Sequence, residues 1–215
     1  MGIVGIVGGL GPESTVDYYQ SIIREYKRRT GKDNSPGILI ASVDMPEILS
    51  CVADRDYARL AGILGDTISA LARAGADFAV IASNTPHVVF DRLRDRSPIE
   101  LISIVDATCE RIRQDGYLRP LLTGTLFTMR ENFYGDSARK NGIDLTIPDA
   151  DDMTRIHDVI FPELEDGVIV PEKKRAYLDL VNSYIRDRSI DSVILGCAEL
   201  PLMISAADLP VPVIN

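Results

Sequence analysis

Ile3-Val4-Gly5-Ile6-Val7-Gly8-Gly9-Leu10-Gly11-Pro12-Glu13-Ser14-Thr15 is the stretch on which the fold turns. Ile3 to Val7 is a short apolar run closed by glycines, the pattern of a buried strand entering a tight turn. Beyond it Val16, Tyr19, Ile22, Ile23 and Tyr26 recur at helical spacing, and Gly31 stands where a helix stop is expected. Gly37 to Val43 reads as a second strand. Leu60, Ile63, Leu64, Ile68 and Leu71 form the next helical stripe, which stops at Gly75, and Phe78 to Ala82 forms a third strand running into Ser83-Asn84-Thr85-Pro86. Continuous apolar strands separated by helices of this length point to an α/β protein with parallel sheets.

The second half repeats the scheme. Leu121 and Leu122 lead into Thr123-Gly124-Thr125. Tyr177, Leu180, Val181, Tyr184 and Ile185 form an amphipathic helix, and Val193 to Leu195 form a strand ending at Gly196-Cys197-Ala198-Glu199. Gly9 to Ser83 is 74 positions and Gly124 to Cys197 is 73. Both intervals run from a glycine turn after one strand to a small polar residue at the end of another. The expected organisation is therefore two pseudo-equivalent parallel-sheet α/β domains, with a boundary near Pro98 to Ile104 and the site in the cleft between them, because ligands bind beyond the carboxyl ends of strands in such sheets. Residues 1–98 are assigned to the first domain, 99–208 to the second and 209–215 to the start of a return to the first.

Composition narrows the function. Of 215 residues, 46% are hydrophobic and 26% charged, as in an ordinary globular protein. Thirty-two acidic against 23 basic residues give a net charge of −9, a field that repels nucleic acid and anionic membrane. An anionic substrate would need a local site that overrides it. The three cysteines, Cys51, Cys109 and Cys197, are far apart and form no Cys-x-x-Cys, so neither a structural zinc nor a redox dithiol is supported. An odd, low count fits free thiols in a reducing cytoplasm. The N-terminus lacks the charged region and long apolar run of a signal peptide, and no apolar stretch approaches the roughly 20 residues needed to span a bilayer.

The motifs themselves leave choices open. Gly8 to Thr15 opens a helix after a strand, but the dinucleotide pattern G-x-G-x-x-G fails at Ser14, Asp44 is a weak ribose partner, and Walker A is absent. What survives is either a turn whose backbone N–H groups hold a carboxylate or a plain tight turn. Ser83 has no G-x-S-x-G surround and needs a base to act as a nucleophile. Asn84 and Thr85 offer an amide and a hydroxyl suited to an amino or carboxylate group. His87 reads as a structural histidine in the next helix's first turn. Cys197, between Gly196 and Ala198 at a strand end, is either a thiol acid/base, usable when helix N-termini or cations lower its pKa, or an inert buried thiol. Cys109 falls in an apparent helix, Asp106 to Arg113, and reads as packing, whereas Cys51 lies in a loop or helix entry with no assigned role.

Together, Gly8-Gly9-Leu10-Gly11-Pro12-Glu13-Ser14-Thr15, Ser83-Asn84-Thr85-Pro86-His87, Gly124-Thr125-Leu126-Phe127-Thr128-Met129 and Gly196-Cys197-Ala198-Glu199 resemble the cofactor-independent aspartate/glutamate racemase superfamily, in particular the aspartate racemase and broad-specificity amino-acid racemase branch. The resemblance covers essentially the whole chain, in order. It implies a two-domain, commonly dimeric α/β protein that acts on a small amino acid with two opposed cysteines, without pyridoxal phosphate or metal. It places the catalytic groups at Ser83 and Cys197, and the substrate among the backbone of Leu10 and the side chains of Asn84, Thr85, Thr125, Thr128 and Glu199.

Two departures stand out. Ser83, a much weaker acid than a thiol, replaces the first cysteine, although some members of the family carry threonine there. Met45-Pro46-Glu47-Ile48 stands where aspartate racemases of this type often have basic residues for the side-chain carboxylate, leaving Arg55 and Arg130 as substitutes. The chain also stops at Val211-Pro212-Val213-Ile214-Asn215, a final strand, where relatives continue into a helix. The expected function is a homodimeric cytoplasmic racemase with Cys197 as thiol acid/base. The alternatives are a single-cysteine decarboxylase of the same superfamily and an amino-acid-binding pseudoenzyme.

Overall fold

In the computed structural model, which describes residues 2–215, the chain divides into two compact units, the first closing at Ile104 and the second opening at Val105. The first carries a parallel four-stranded sheet in the order β2-β1-β3-β4, built from β1 (Val4–Gly8), β2 (Ile38–Ser42), β3 (Phe78–Ile81) and β4 (Glu100–Ile102). β1 is central and buried along its whole length, which is why its sequence is apolar without alternation. Its side chains still divide by face. Val7 belongs to a core cluster with Leu60, Leu64, Ile68 and Leu71 of α3 (Tyr57–Arg73), while Val4 and Ile6 pack with Tyr18 and Ile22 of α1 (Pro12–Thr30). Helices thus cover both faces.

The α1 stripe differs from expectation. Val16 and Tyr19 are half exposed, and the helix turns Ser14, Thr15 and Tyr18 inward beside the expected Ile22. The reason is local: Ser14 and Thr15 hydroxyls bond to the turn before the helix, and that fixes its rotation.

The second unit has a parallel three-stranded sheet, β5-β6-β7, from β5 (Pro120–Gly124), β6 (Ser192–Gly196) and β7 (Val213–Ile214). Val213 and Ile214, in the segment 209–215, pair with Val193 and Ile194 and extend the second sheet. α9 (Pro171–Arg188) buries Tyr177, Val181 and Tyr184. Tyr177 and Thr123 form a buried hydrogen bond of 2.9 Å. Since the Thr123 hydroxyl donates its one proton to the Ile194 carbonyl, the Tyr177 phenol must be the donor to Thr123.

The spacings in the sequence become strand registers. In the first sheet β1 pairs with residues 74 further on, Val4 with Phe78. In the second, β5 pairs with residues 72 further on, from Pro120 with Ser192 to Gly124 with Gly196. Extending the registers, Gly9 lines up with Ser83 and Thr125 with Cys197.

Candidate active site

Each unit assembles two of the four motifs at the carboxyl edge of its sheet. In the first, Gly9 has φ +78 and a Cβ there would lie 2.7 Å from the Val43 carbonyl oxygen, so only glycine lets the turn pass β2. Thr15 Oγ1 accepts the Gly9 N–H at 3.0 Å, so that amide is already occupied. Ser14, where a dinucleotide fingerprint would place its third glycine, lies within hydrogen-bond distance of two carbonyls, Gly11 at 2.8 Å and Ala82 at 2.9 Å. It ties the glycine turn to the end of β3. Leu10 has its side chain in the core, so it can offer a ligand only backbone.

Ser83 and Asn84 follow β3, half-buried, and Thr85 begins a short 3-10 helix, Thr85–Val89. His87, 4% exposed, holds this loop. Its Nδ1 lies 3.0 Å from the Ser83 carbonyl and its Nε2 accepts the Ile104 N–H at 3.3 Å. A carbonyl can only accept and an amide can only donate, so the ring is neutral with its proton on Nδ1. The ring also stacks on Phe90, 4.9 Å between centroids and nearly parallel. His87 is structural, and it fixes the backbone that presents Ser83.

In the second unit Gly124 and Gly196 are register partners. A Cβ on Gly124 would sit 2.7 Å from the Gly196 carbonyl oxygen, and one on Gly196 would sit 2.9 Å from the Thr123 carbonyl oxygen. Backbone on both sides cannot yield. Gly124→Ala is therefore expected to cost about 2–3 kcal/mol, a fall in Tm of roughly 5–10 °C for a chain of this size. Gly62→Ala, on α3 with open space around it, should instead stabilise by about 0.5–1 kcal/mol. Thermal unfolding of the two variants checks both signs.

Thr125 caps α6 (Leu126–Arg130), its Oγ1 accepting the Thr128 N–H at 3.3 Å and lying 3.1 Å from Thr128 Oγ1. Thr128 is 1% exposed, so it positions Thr125, and Thr125 is the member of the pair nearer to solvent. Cys197, next along from Gly196, points its Sγ at Glu199 Oε2, 2.9 Å away. Burial pushes this thiol well above its ordinary pKa, and the Glu199 charge adds to the rise; the backbone N–H groups of Glu199 and Leu200 oppose it more weakly. Burial beside Glu199 thus favours the thiol form of Cys197 over the ready thiolate that a helix terminus alone would produce.

Cys109 lies in α5 (Ile104–Gln114) and is buried, as its packing assignment requires. Cys51 sits inside α2 (Met45–Ala53), not in a loop, and is also buried. Of the residues weighed for contact with a side-chain carboxylate, Glu47 lies in the first turn of α2 and pairs with Arg59 at 2.7 Å. Arg55 is exposed at φ +54 in the loop after α2, and Arg130 is exposed at the end of α6. Sequence reasoning gave no role to His157, whose Nδ1 accepts the Leu126 N–H at 3.3 Å. Its place in an amphipathic helix, α8 (Ala150–Ile160), carries no signal of that contact. Among the described residues no group of three or more His, Cys, Asp or Glu is placed to hold a metal ion, and no helix is long and apolar enough to cross a membrane.

The sequence profile of the Asp/Glu/hydantoin racemase family matches residues 7–215. The chain belongs to that family. Solved structures agree: a Yersinia pestis protein assigned to the Asp/Glu racemases superposes with a TM-score of 0.93 at 34% identity, covering 100% of this chain and 94% of that one. An aspartate racemase homologue from Pyrococcus horikoshii superposes at 0.87 with 33% identity, covering 100% and 93%. Among curated relatives, the broad specificity amino-acid racemase RacX of Bacillus subtilis is 26% identical over 143 residues, which are 65% of this chain and 62% of that protein. Family membership brings with it the expectation of small amino-acid substrates.

Proposed function

We propose that this racemase-family protein inverts the α-carbon of an amino acid, aspartate or glutamate or a relative of them, without a cofactor, using Cys197 and Ser83 as its two proton carriers. The observation that carries the reading is the Cys197–Glu199 pair at 2.9 Å, one residue beyond the Gly124–Gly196 contact and in register with Thr125. An amino-acid α-proton is weakly acidic, so the carbanion needs hydrogen bonds to its carboxylate. Asn84, Thr85 and Thr125 supply them in this scheme, while Thr128 holds Thr125.

In one direction the Cys197 proton passes to Glu199, and the thiolate takes the α-proton. Ser83 then gives its hydroxyl proton to the opposite face, its alkoxide regains a proton from water, which half-burial of the loop admits, and Glu199 gives its proton to the hydroxide so formed, which restores both groups. The reverse direction begins at Ser83 and ends with the Cys197 thiol as donor. Because the two enantiomers have equal free energy, kcat/KM must be equal in both directions. A serine alkoxide is the costly species: each pKa unit of mismatch is worth about 1.4 kcal/mol, so slow turnover is expected.

The test is α-proton exchange in D₂O, followed by NMR with each enantiomer of aspartate, glutamate and several neutral amino acids. Exchange with inversion supports the reading, whereas binding without exchange overturns it in favour of a non-catalytic binder. Ser83→Cys should raise the inversion rate at least about tenfold, and an unchanged rate would remove Ser83 from the chemical step. A second reading, a single-cysteine decarboxylase, is favoured by the burial of Cys197 with its Sγ 2.9 Å from Glu199 Oε2, surroundings that raise the thiol pKa, since such an enzyme needs an acid to protonate a planar carbanion. Release of CO₂ from a malonate-type substrate in the same assay would select it.

A further inference from the structure

We propose that His157 is a positioning residue that sets the Thr125 arm of the site, a role that rests on Thr125 binding substrate as proposed above. His157 stands in the last turn of α8, half-buried, with its ring tilted against Phe161 at 4.7 Å between centroids. Its Nδ1 is 3.3 Å from the Leu126 nitrogen. The amide can only donate, so Nδ1 is an acceptor and a neutral ring carries its proton on Nε2.

The bond matters because of which amide it takes. The Leu126 N–H belongs to the peptide plane that follows Thr125, so holding it holds ψ of Thr125 at 158°. That extended backbone lets Thr125 Oγ1 turn back to cap Thr128. Thr128 in turn presses its Cγ2 to the spot a Gly196 Cβ would occupy, at 3.0 Å, beside Cys197. His157 therefore acts on substrate through Thr125 and on the thiol loop through Thr128, touching neither ligand nor sulfur in this scheme. His87 does the corresponding work in the first unit with its two ring nitrogens on backbone groups. Each sheet edge thus has one histidine that fixes the loop after a strand.

The test compares His157→Leu with His157→Asn in the full chain. An asparagine Oδ1 can occupy the place of Nδ1 and accept the same amide, whereas leucine fills the space and accepts nothing. Two readouts separate this inference from the functional reading beneath it. Hydrogen exchange at the Leu126 amide needs no substrate; it should quicken about tenfold in His157→Leu and return towards the parent rate in His157→Asn. The KM for the substrate that exchanges best, or the Kd for L-aspartate if the protein binds without turnover, should rise about five- to tenfold in His157→Leu with kcat changed less than about twofold, and recover in His157→Asn. An unchanged Leu126 exchange rate overturns the inference, whatever the activity. So does faster exchange with an unaltered KM or Kd, or an asparagine variant that behaves like leucine. A parent that neither turns over nor binds amino acids overturns the functional reading and, with it, the role of Thr125, while the exchange data still report the bond itself.

Discussion

Replacing Cys197 with alanine should lower inversion by about a thousandfold or more for both enantiomers, while the fold survives. The enantiomer that Cys197 deprotonates loses its base outright. The other would need Ser83 to deprotonate it and a donor on the Cys197 face, and alanine supplies none, so inversion stops in both directions. The fold should persist because the change removes one sulfur atom from the edge of the second core, a loss of about 1 kcal/mol, and leaves the Gly124–Gly196 pairing intact. The experiment is NMR in D₂O on both enantiomers, with thermal unfolding as the control. Inversion that persists in a folded Cys197→Ala protein would put the second proton carrier elsewhere and end the proposal. Cys51 and Cys109 are poor substitutes, being 1% exposed within α2 and α5.

Glu199→Gln should reduce exchange by about a hundredfold, and its value lies in the opposing shift it makes in the thiol. The Glu199 charge helps hold the Cys197 pKa up. Removing it brings the thiol pKa down, though burial keeps it above the ordinary value, so the variant carries more thiolate at a given pH than the parent. If Glu199 merely held the thiol in place, more thiolate would mean faster exchange. If Glu199 receives the proton, as a 2.9 Å S···O contact allows, exchange falls although the thiolate population rises. Thiolate absorbance near 240 nm against pH, with Cys197→Ala as the blank for the other two thiols, measures the first quantity, and exchange rates measure the second. Faster exchange in Glu199→Gln would remove the proton-accepting role and leave Glu199 as a substrate contact.

The two predictions turn on a contact that illustrates how far the sequence can be read. Cys197 and Glu199 are two residues apart in a loop, and nothing in that spacing says that their side chains meet. The same holds for Ser14, whose failure to match a glycine excluded a dinucleotide site, while its actual work, joining the Gly11 turn to Ala82 sixty-eight positions away, is invisible without the sheet. His157 sits in an amphipathic helix beside the buried Ile156, Val159 and Ile160, but its partner is a backbone amide, which no residue identity announces. The α1 stripe misleads for a related reason. Val16 and Tyr19 fit a helical period, but hydroxyl bonds from Ser14 and Thr15 to the preceding turn decide which face turns inward.

What the sequence determined by itself was the architecture and the family: apolar runs too continuous for half-exposed strands, glycine turns at their ends, and intervals of 74 and 73 positions that reappear as strand registers of 74 and 72. Those features are local or periodic, and backbone hydrogen bonding converts them directly into parallel strands. Tertiary structure alone decided the burial and partners of these residues: that the Cys197 thiol is buried against the Glu199 carboxyl group, that Thr128 is buried while Thr125 is partly exposed, and that His87 and His157 bind backbone. Burial and charge act through space, so the same thiol that would be a ready base beside solvent begins here as an acid.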